Sequence, residues 1–342
     1  MKSTYVEERE RGIPPARPQE RLLTLIVPVY NEQHAIGPFL DAARAALALL
    51  DARFETEILF VNDGSRDGTE FVLRSYMQKD ERIRLINLSR NFGKEAALCA
   101  GMDHARGDAV IPVDVDLQDD VSIIPEMIEK WERGAQIVNA KRRDRSSDSW
   151  LKRVTARGFY RVFNALSDQP MPSDVGDFRL LDRQVVDIIR SLGEKVRLNK
   201  ALFAWVGFDS DEVTYQRNCR RAGKTSMGYW KLWNMALDGI FASSTKPLRV
   251  WTYVGSALAF ASFLYAAWIF LRTLVFGVDV PGYASTLVLI LMFGGVQLFA
   301  IGILGEYVGR ILTEVRERPL YIVRSSHSGD GTRPAGARPH GI

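Results

Sequence analysis

The sequence predicts an α/β protein: an open, mostly parallel sheet with flanking helices, followed by an interfacial helix and a two-helix transmembrane hairpin. Three observations predict it. Four short apolar runs alternate with helix-like stretches up to residue 113. Each run stops at a loop rich in polar residues or glycine. Further on, two apolar stretches are each long enough to cross a hydrocarbon core of about 30 Å.

The elements follow in order. Residues 22–29 are continuously apolar and read as a buried strand. Residues 41–50 have the Ala/Leu richness of a helix. Residues 57–61 are a second strand, ending at Asn62-Asp63-Gly64-Ser65, and residues 69–78 a second helix. Residues 83–88 are a third strand and 94–105 a third helix. The fourth strand, Ala109-Val110-Ile111-Pro112-Val113, runs into Asp114-Val115-Asp116-Leu117-Gln118-Asp119-Asp120. This βαβαβαβ order gives a doubly wound, mostly parallel sheet. No internal repeat is evident.

The organisation along the chain is a flexible tail over residues 1–21, with Pro14, Pro15 and Pro18, then an α/β domain over 22–225. An interfacial amphipathic segment over 226–249 carries a stripe of Tyr229, Trp230, Trp233, Ala236, Leu237 and Ile240. The hairpin covers 250–312, with spans near 250–275 and 283–304, and a tail covers 313–342. The turn at 277–282 holds no Lys or Arg, whereas Lys246, Arg249, Arg310, Arg316 and Arg318 flank the spans. The positive-inside rule places both flanks, the α/β domain and both termini in the cytoplasm. Two buried core helices are the alternative reading.

Composition narrows the classes. A net charge of +4 over 342 residues is modest, and no nucleic-acid partner is expected. Cys99 and Cys219 lie far apart, which suits a reducing compartment and gives no disulfide framework or zinc spacing. His34 and His104 lack ligand spacing, and His327 and His340 fall in a Gly/Ser/Pro-rich tail read as disordered. The sequon Asn87-Leu88-Ser89 sits in a buried strand and is discounted. The run Lys141-Arg142-Arg143-Asp144-Arg145 reads as a solvated loop.

In a parallel sheet the loops after all four strands lie along one edge, where ligands bind. Here they are Tyr30-Asn31-Glu32, Asp63-Gly64-Ser65, Arg90-Asn91-Phe92-Gly93-Lys94 and residues 114–120, a convergence that suits a nucleotide. Asp114 and Asp116 are placed to share a hard divalent cation that neutralises a diphosphate. A solvated acidic turn would have the same composition. No G-x-G-x-x-G follows the first strand. Gly223-Lys224-Thr225 mimics the end of a P-loop, but Asn218 stands where its first glycine belongs.

These segments resemble the family 2 glycosyltransferases of GT-A type. The resemblance lies in Val27-Pro28-Val29-Tyr30-Asn31-Glu32, Val61-Asn62-Asp63-Gly64-Ser65-Arg66-Asp67-Gly68-Thr69 and Asp114-Val115-Asp116-Leu117-Gln118-Asp119. Arg90-Asn91-Phe92-Gly93-Lys94, Gly176-Asp177-Phe178-Arg179-Leu180 and Ser244-Thr245-Lys246-Pro247-Leu248-Arg249 narrow the branch. Together they look like the polyisoprenyl-phosphate glycosyltransferases, closest to the bactoprenol glucosyltransferases of cell-envelope and O-antigen modification. The resemblance spans residues 22–321. Two departures stand out from the family's D-A-D-L-Q-D-P-P. Val115 replaces the alanine, and Asp120-Val121 replaces the two prolines, altering loop rigidity and adding a negative charge.

The resemblance implies site roles. Pro28, Tyr30, Glu32, Asp63, Gly64 and Ser65 would frame the base, with Asp63 accepting its N3–H. Arg90 and Lys94 would face the phosphates, and Asp114 the ribose or the metal's outer shell. Asp116 and Gln118 would hold Mg²⁺ or Mn²⁺. Asp177 and Arg179 would form the acceptor side, Arg179 binding the acceptor phosphate; an ordinary capped turn is the alternative for Gly176-Asp177. Arg217, Arg220, Arg221 and Lys224 would guide the lipid phosphate, or else serve only as a surface anchor.

The implied reaction is inverting transfer of one hexose, glucose from a UDP-sugar donor, to undecaprenyl phosphate on the cytoplasmic face of the inner membrane. Another nucleotide sugar such as GDP-mannose, or a catalytically silent membrane scaffold, is the alternative. A processive synthase is disfavoured, because no Q-x-x-R-W motif occurs and only one hairpin follows. Membrane lipids are expected partners, and self-association stays open.

Overall fold

A computed structural model describes residues 21–50, 53–142, 175–192, 202–203, 205–216, 246–277 and 282–328. The expected N-terminal tail, the basic cluster at Arg217, Arg220, Arg221 and Lys224, and most of the interfacial segment lie outside the described residues. So do Arg143 to Arg145 and His340.

Strand β1 (Arg21–Val29) leads to α1 (Ile36–Leu47), β2 (Phe54–Asn62), α2 (Thr69–Met77), β3 (Ile83–Leu88), α3 (Lys94–His104) and β4 (Ala109–Pro112). The first helix begins at Ile36, earlier than the Ala/Leu count suggests. Pro38 lies in its first turn, where a missing N–H costs nothing. Then come a 3₁₀ turn (Val121–Ile123), α4 (Ile124–Glu132), β5 (Ile137–Arg142), β6 (Val175–Asp182), α5 (Arg183–Ser191) and β7 (Ser210–Tyr215). The apolar helices are α6 (Lys246–Phe276) and α7 (Tyr283–Val315), and β8 (Val323–Ser328) closes the order.

The sheet runs β7-β5-β6-β4-β1-β2-β3-β8. Four of its seven pairings are parallel: β1 with β2, β1 with β4, β2 with β3, and β5 with β7. The expected mostly parallel, GT-A-type sheet is therefore present. Strand order reverses between β1 and β4, which opens a crevice at the C-terminal ends of those two strands. The antiparallel pairings add to the same edge. β6 runs against β4, with Val110 opposite Leu181, so the start of β6 lies beside the end of β4. β8 runs against β3, with Leu88 opposite Val323, so the chain enters β8 at that edge too.

The central strands are mostly apolar because both faces are covered. Leu23, Leu25 and Val27 of β1, with Ile58 and Phe60 of β2, pack with Phe39, Leu40 and Met127 beneath α1 and α4. Ile26, Leu59 and Val61 point to the other face, against Ala97, Leu98 and Val185 of α3 and α5. A Cβ on Gly101 would lie 2.2 Å from Ile26 Cγ2, so α3 rests on β1 as closely as it does only because that position is glycine. One charge pair is buried with this core: Arg84 Nη1 bonds Glu57 Oε1, and Thr24 Oγ1 donates to Glu57 Oε2 at 2.7 Å.

Two features depart from the sequence expectation. Residues 323–328, read as part of a disordered tail, form a sheet strand, with His327 opposite Leu85. The strand is polar, and what holds it is tertiary: Asn87 Nδ2 donates to Ser325 Oγ at 3.0 Å and Arg324 pairs with Glu70. The second apolar helix also runs past residue 304 to Val315, carrying Arg310, which pairs with Glu306 one turn back at 2.8 Å. The two apolar helices hold 31 and 33 residues, about 46 and 50 Å at 1.5 Å per residue. Trp251 and Phe299 join them at a ring separation of 5.0 Å. Phe260, Phe263, Leu274, Leu298 and Ile311 stand exposed on them, as lipid-facing side chains do.

Candidate active site

The site is built where β1, β2, β3 and β4 end and β6 begins. After β1, Asn31 takes a positive φ of 56°, a conformation asparagine tolerates better than most residues. Its N–H donates to Ser65 Oγ at 3.0 Å, and its Oδ1 accepts from Arg66 N at 2.8 Å. Glu32 N–H donates to Thr69 Oγ1 at 3.0 Å. The loops after β1 and β2 are thus sewn together, with Tyr30 exposed beside them. Pro28 sits within β1 opposite Val61.

Gly64 is required twice over. Its φ is +66°, and a Cβ there would stand 2.4 Å from the Arg90 carbonyl carbon. The close approach lets Asp63 reach the loop after β3. Asp63 Oδ1 accepts from Phe92 N at 2.7 Å and Oδ2 from Gly93 N at 2.9 Å. Burial raises the Asp63 carboxyl above its usual range; the two amides and Arg90 pull against that rise without cancelling it. The Arg90 guanidinium lies 4.3 Å from the Phe92 ring centre.

Lys94 opens α3, an end where the helix dipole disfavours a cation. Two carboxylates account for its place. Its Nζ lies 2.7 Å from Asp114 Oδ1, at the end of β4, and 2.8 Å from Asp177 Oδ2, at the start of β6. Burial acts to lower the Lys94 ammonium, but the two carboxylates override it and raise it. Burial raises Asp114; Lys94 opposes this, while Asp177 and Asp119 add to it. The sequence reading gives Lys94 to the phosphates; the structure places its ammonium between these acids.

Beyond Asp114 the chain turns sharply. Leu117 has a φ of 55°, and Gln118 N donates to Asp116 Oδ1 at 3.1 Å, which sets the Asp116 carboxylate at the turn. Asp119 is buried against the Tyr215 hydroxyl of β7, with Arg142 of β5 at 3.8 Å. Asp120 accepts from Ser122 N at 3.0 Å and caps the 3₁₀ turn, so the departure from proline has a local structural role.

On β6, Asp177 and Arg179 are two residues apart and share a face. Arg179 is 5% exposed, and its guanidinium lies 4.3 Å from the Phe203 ring centre. Its Nη2 donates to the Gly176 carbonyl at 2.7 Å, while Nε has no hydrogen-bond partner among the described residues. Burial pushes it down to about 10, so it stays cationic at neutral pH.

The structure therefore brings Asp63, Gly64, Ser65, Arg90, Lys94, Asp114 and Asp177 into one contact network, with Asp116 and Gln118 on the adjoining turn. Sequence reasoning missed a buried amide relay. Asn87 Oδ1 accepts from Asn62 Nδ2 at 2.8 Å, and Asn62 Oδ1 accepts from Ser65 N at 3.0 Å. An asparagine buried near the end of a mostly apolar strand was the available signal.

Comparison with known proteins agrees with this architecture. Residues 24–189 match the model of glycosyl transferase family 2, and residues 246–311 match the GtrB C-terminal hairpin. The chain is 51% identical over 308 residues to the SfII prophage-derived bactoprenol glucosyl transferase of Shigella flexneri, covering 90% of this chain and 99% of that protein. It is 51% identical over 303 residues to the bactoprenol glucosyl transferase of Shigella phage SfV, covering 89% and 98%. It is 48% identical over 302 residues to the prophage bactoprenol glucosyl transferase homolog of Escherichia coli K12, covering 88% and 98%. The match over about nine-tenths of the chain, the switch-point site and the two apolar helices agree: the chain is a membrane-associated glycosyltransferase and belongs to family 2, in the branch that carries the GtrB C-terminal hairpin.

Proposed function

We propose that this enzyme transfers one glucose from UDP-glucose to undecaprenyl phosphate, with inversion, at the cytoplasmic face of the membrane. The observation that carries the reading is the Lys94 bridge between Asp114 and Asp177, which joins the donor edge of the sheet to the acceptor strand. The relatives' names supply the sugar and the lipid.

Asp63 spends one lone pair per oxygen on the loop amides, and a carboxylate has about four such sites, so capacity remains for the N3–H of a uracil ring. Tyr30, Glu32 and Ser65 frame that base. Arg90 and Lys94 lower the negative potential that a diphosphate meets on approaching Asp114 and Asp116. Asp116 and Gln118 offer only oxygen donors, which suits a hard ion such as Mg²⁺ or Mn²⁺. So few protein ligands leave room for diphosphate oxygens and water. When bound, such an ion neutralises charge on the departing nucleoside diphosphate.

Asp177, oriented by Lys94, faces the positive charge that develops at the anomeric carbon. Arg179 holds the acceptor phosphate and presents one oxygen in line. That oxygen forms the new bond to the anomeric carbon as the bond to UDP breaks. The phosphate is already anionic near neutral pH, so no general base is needed. The cations flanking the hairpin, and the turn without Lys or Arg, support a cytoplasmic catalytic domain and cytoplasmic termini. Turnover with radiolabelled UDP-glucose and a short polyprenyl phosphate, with and without EDTA, tests this. Label passing instead from GDP-mannose, or not at all, would replace the reading.

A further inference from the structure

A groove of about 560 Å³ lies between the loop after β3 and the segment leading from α7 into β8. Phe92, Leu320 and Ile322 give it an apolar lining, Arg90 and Arg318 its cations, and Glu95 its one acid. Both walls are pinned. The Tyr321 hydroxyl donates to Asp103 Oδ2 at 2.7 Å, and Ser89 N–H donates to the Ile322 carbonyl at 2.8 Å. Opposite, Asp63 holds the Phe92 and Gly93 amides. The groove is therefore formed before any ligand arrives.

Its position is specific. Phe92 is two residues before Lys94, which touches Asp114 and Asp177. Arg318 is three residues after Val315, the last residue of α7. At about 3.5 Å per residue, Arg318 lies within about 10 Å of the end of that apolar helix. The groove thus spans from the end of the hairpin to the catalytic edge.

We propose that this groove admits the acceptor lipid, with Arg318 meeting the phosphate as it enters at the hairpin end and Phe92, Leu320 and Ile322 covering the isoprene units that follow it toward the catalytic edge. The proposal rests on the polyprenyl-phosphate reading above. Two guanidiniums against one carboxylate favour an anionic head. The apolar lining offers few hydrogen bonds to a base or a sugar but suits a branched hydrocarbon. The volume falls in the range of small-ligand sites, about 300–1,000 Å³, and is too small for a long polyprenyl tail. The remainder of the tail stays in the bilayer, and the phosphate moves on toward the edge where Lys94 bridges Asp114 and Asp177. A membrane phospholipid also carries a phosphate, so the test separates the two.

The full-length protein in lipid nanodiscs is exposed to a polyprenyl phosphate bearing a photoreactive group on its first isoprene unit. Labelled peptides should map to residues 318–322 and Phe92. Unlabelled undecaprenyl phosphate should displace the label, and phosphatidylglycerol should not. Arg318→Ala should raise the KM for lipid about tenfold without changing the KM for nucleotide sugar, and Arg318→Lys should recover most of the loss. Labelling elsewhere, equal displacement by phosphatidylglycerol, or an unchanged lipid KM in Arg318→Ala would each overturn the assignment. If the wild-type protein transfers normally while Arg318→Ala is indifferent, only the groove falls. If the wild-type protein transfers nothing to undecaprenyl phosphate, the functional reading falls with it.

Discussion

The ammonium of Lys94 lies 2.8 Å from Asp177 Oδ2, although 83 positions separate the two residues. The contact exists because β6 runs antiparallel to β4, bringing its first residues to the end where β4 stops. The same ammonium bonds Asp114. Lys94→Met would leave two carboxylates close together without their shared cation. We expect turnover to fall by about a hundredfold or more, with donor and lipid KM both affected, and Lys94→Arg to recover part of it. Steady-state kinetics against each substrate checks this. Wild-type turnover in Lys94→Met would remove the bridge from the mechanism.

Asp116 is held at the turn by its bond from Gln118 N. Asp116→Asn keeps the shape and that acceptor oxygen but removes a negative charge. Turnover should drop by orders of magnitude while the thermal midpoint stays near wild type. Mn²⁺ titration of the UDP complex provides a second readout: the variant should need far more ion to reach half-saturation. Equal ion affinity in both proteins would exclude Asp116 as a ligand.

Much of this site was legible in the sequence because the relevant signals are local. The abrupt halt of four apolar runs marks the strand ends, and the loops of the candidate site follow directly. What stayed hidden depends on strand order. The alliance of Lys94 with Asp177 requires knowing that β6 inserts next to β4. The Asp119–Tyr215 bond requires β7 beside β5. β8 escaped notice because Arg324, Ser325, Ser326, His327 and Ser328 show no apolar alternation. Its bonds to Asn87 and Glu70 come from elements over two hundred residues away.

Asn87 links that last strand to the loop after β2 through Asn62 and Ser65. Asn87→Leu fits an apolar strand but strands the amide of Asn62, which is 1% exposed. An unpaired buried polar group costs about 1–3 kcal/mol. The thermal midpoint should fall accordingly, and the KM for nucleotide sugar should rise severalfold more than the KM for lipid. A uniform loss with unchanged KM values would reduce the relay to a stability role.

His104, at the end of α3, is held below its ordinary value by burial. Asp103 opposes this, and Arg84 and Arg190 add to it. The unfolded chain therefore binds a proton more readily than the native one. This contribution to stability is present above the unfolded value of about 6.5 and is lost as pH falls through the lower folded value. The thermal midpoint should decline on acidification below about pH 6.5. His104→Gln should flatten that decline. An identical pH profile for the variant would assign the acid sensitivity elsewhere.

The charges that flank the hairpin make the proposed membrane orientation testable. Gly282 precedes α7 and Arg316 follows it, and both are exposed. The turn near Gly282 lacks Lys and Arg, whereas Arg316 and Arg318 lie together beyond the helix. On the proposed topology the positive-inside rule predicts Gly282 outside and Arg316 in the cytoplasm. Single cysteines at these two positions, in a protein lacking Cys99 and Cys219, provide the measurement. In intact cells an impermeant maleimide should label Gly282→Cys and spare Arg316→Cys until the membrane is opened. The opposite pattern would place β8, and the catalytic edge it joins, on the outer face. A cytoplasmic nucleotide sugar could not then reach Asp63, and the donor assignment would fall with the topology.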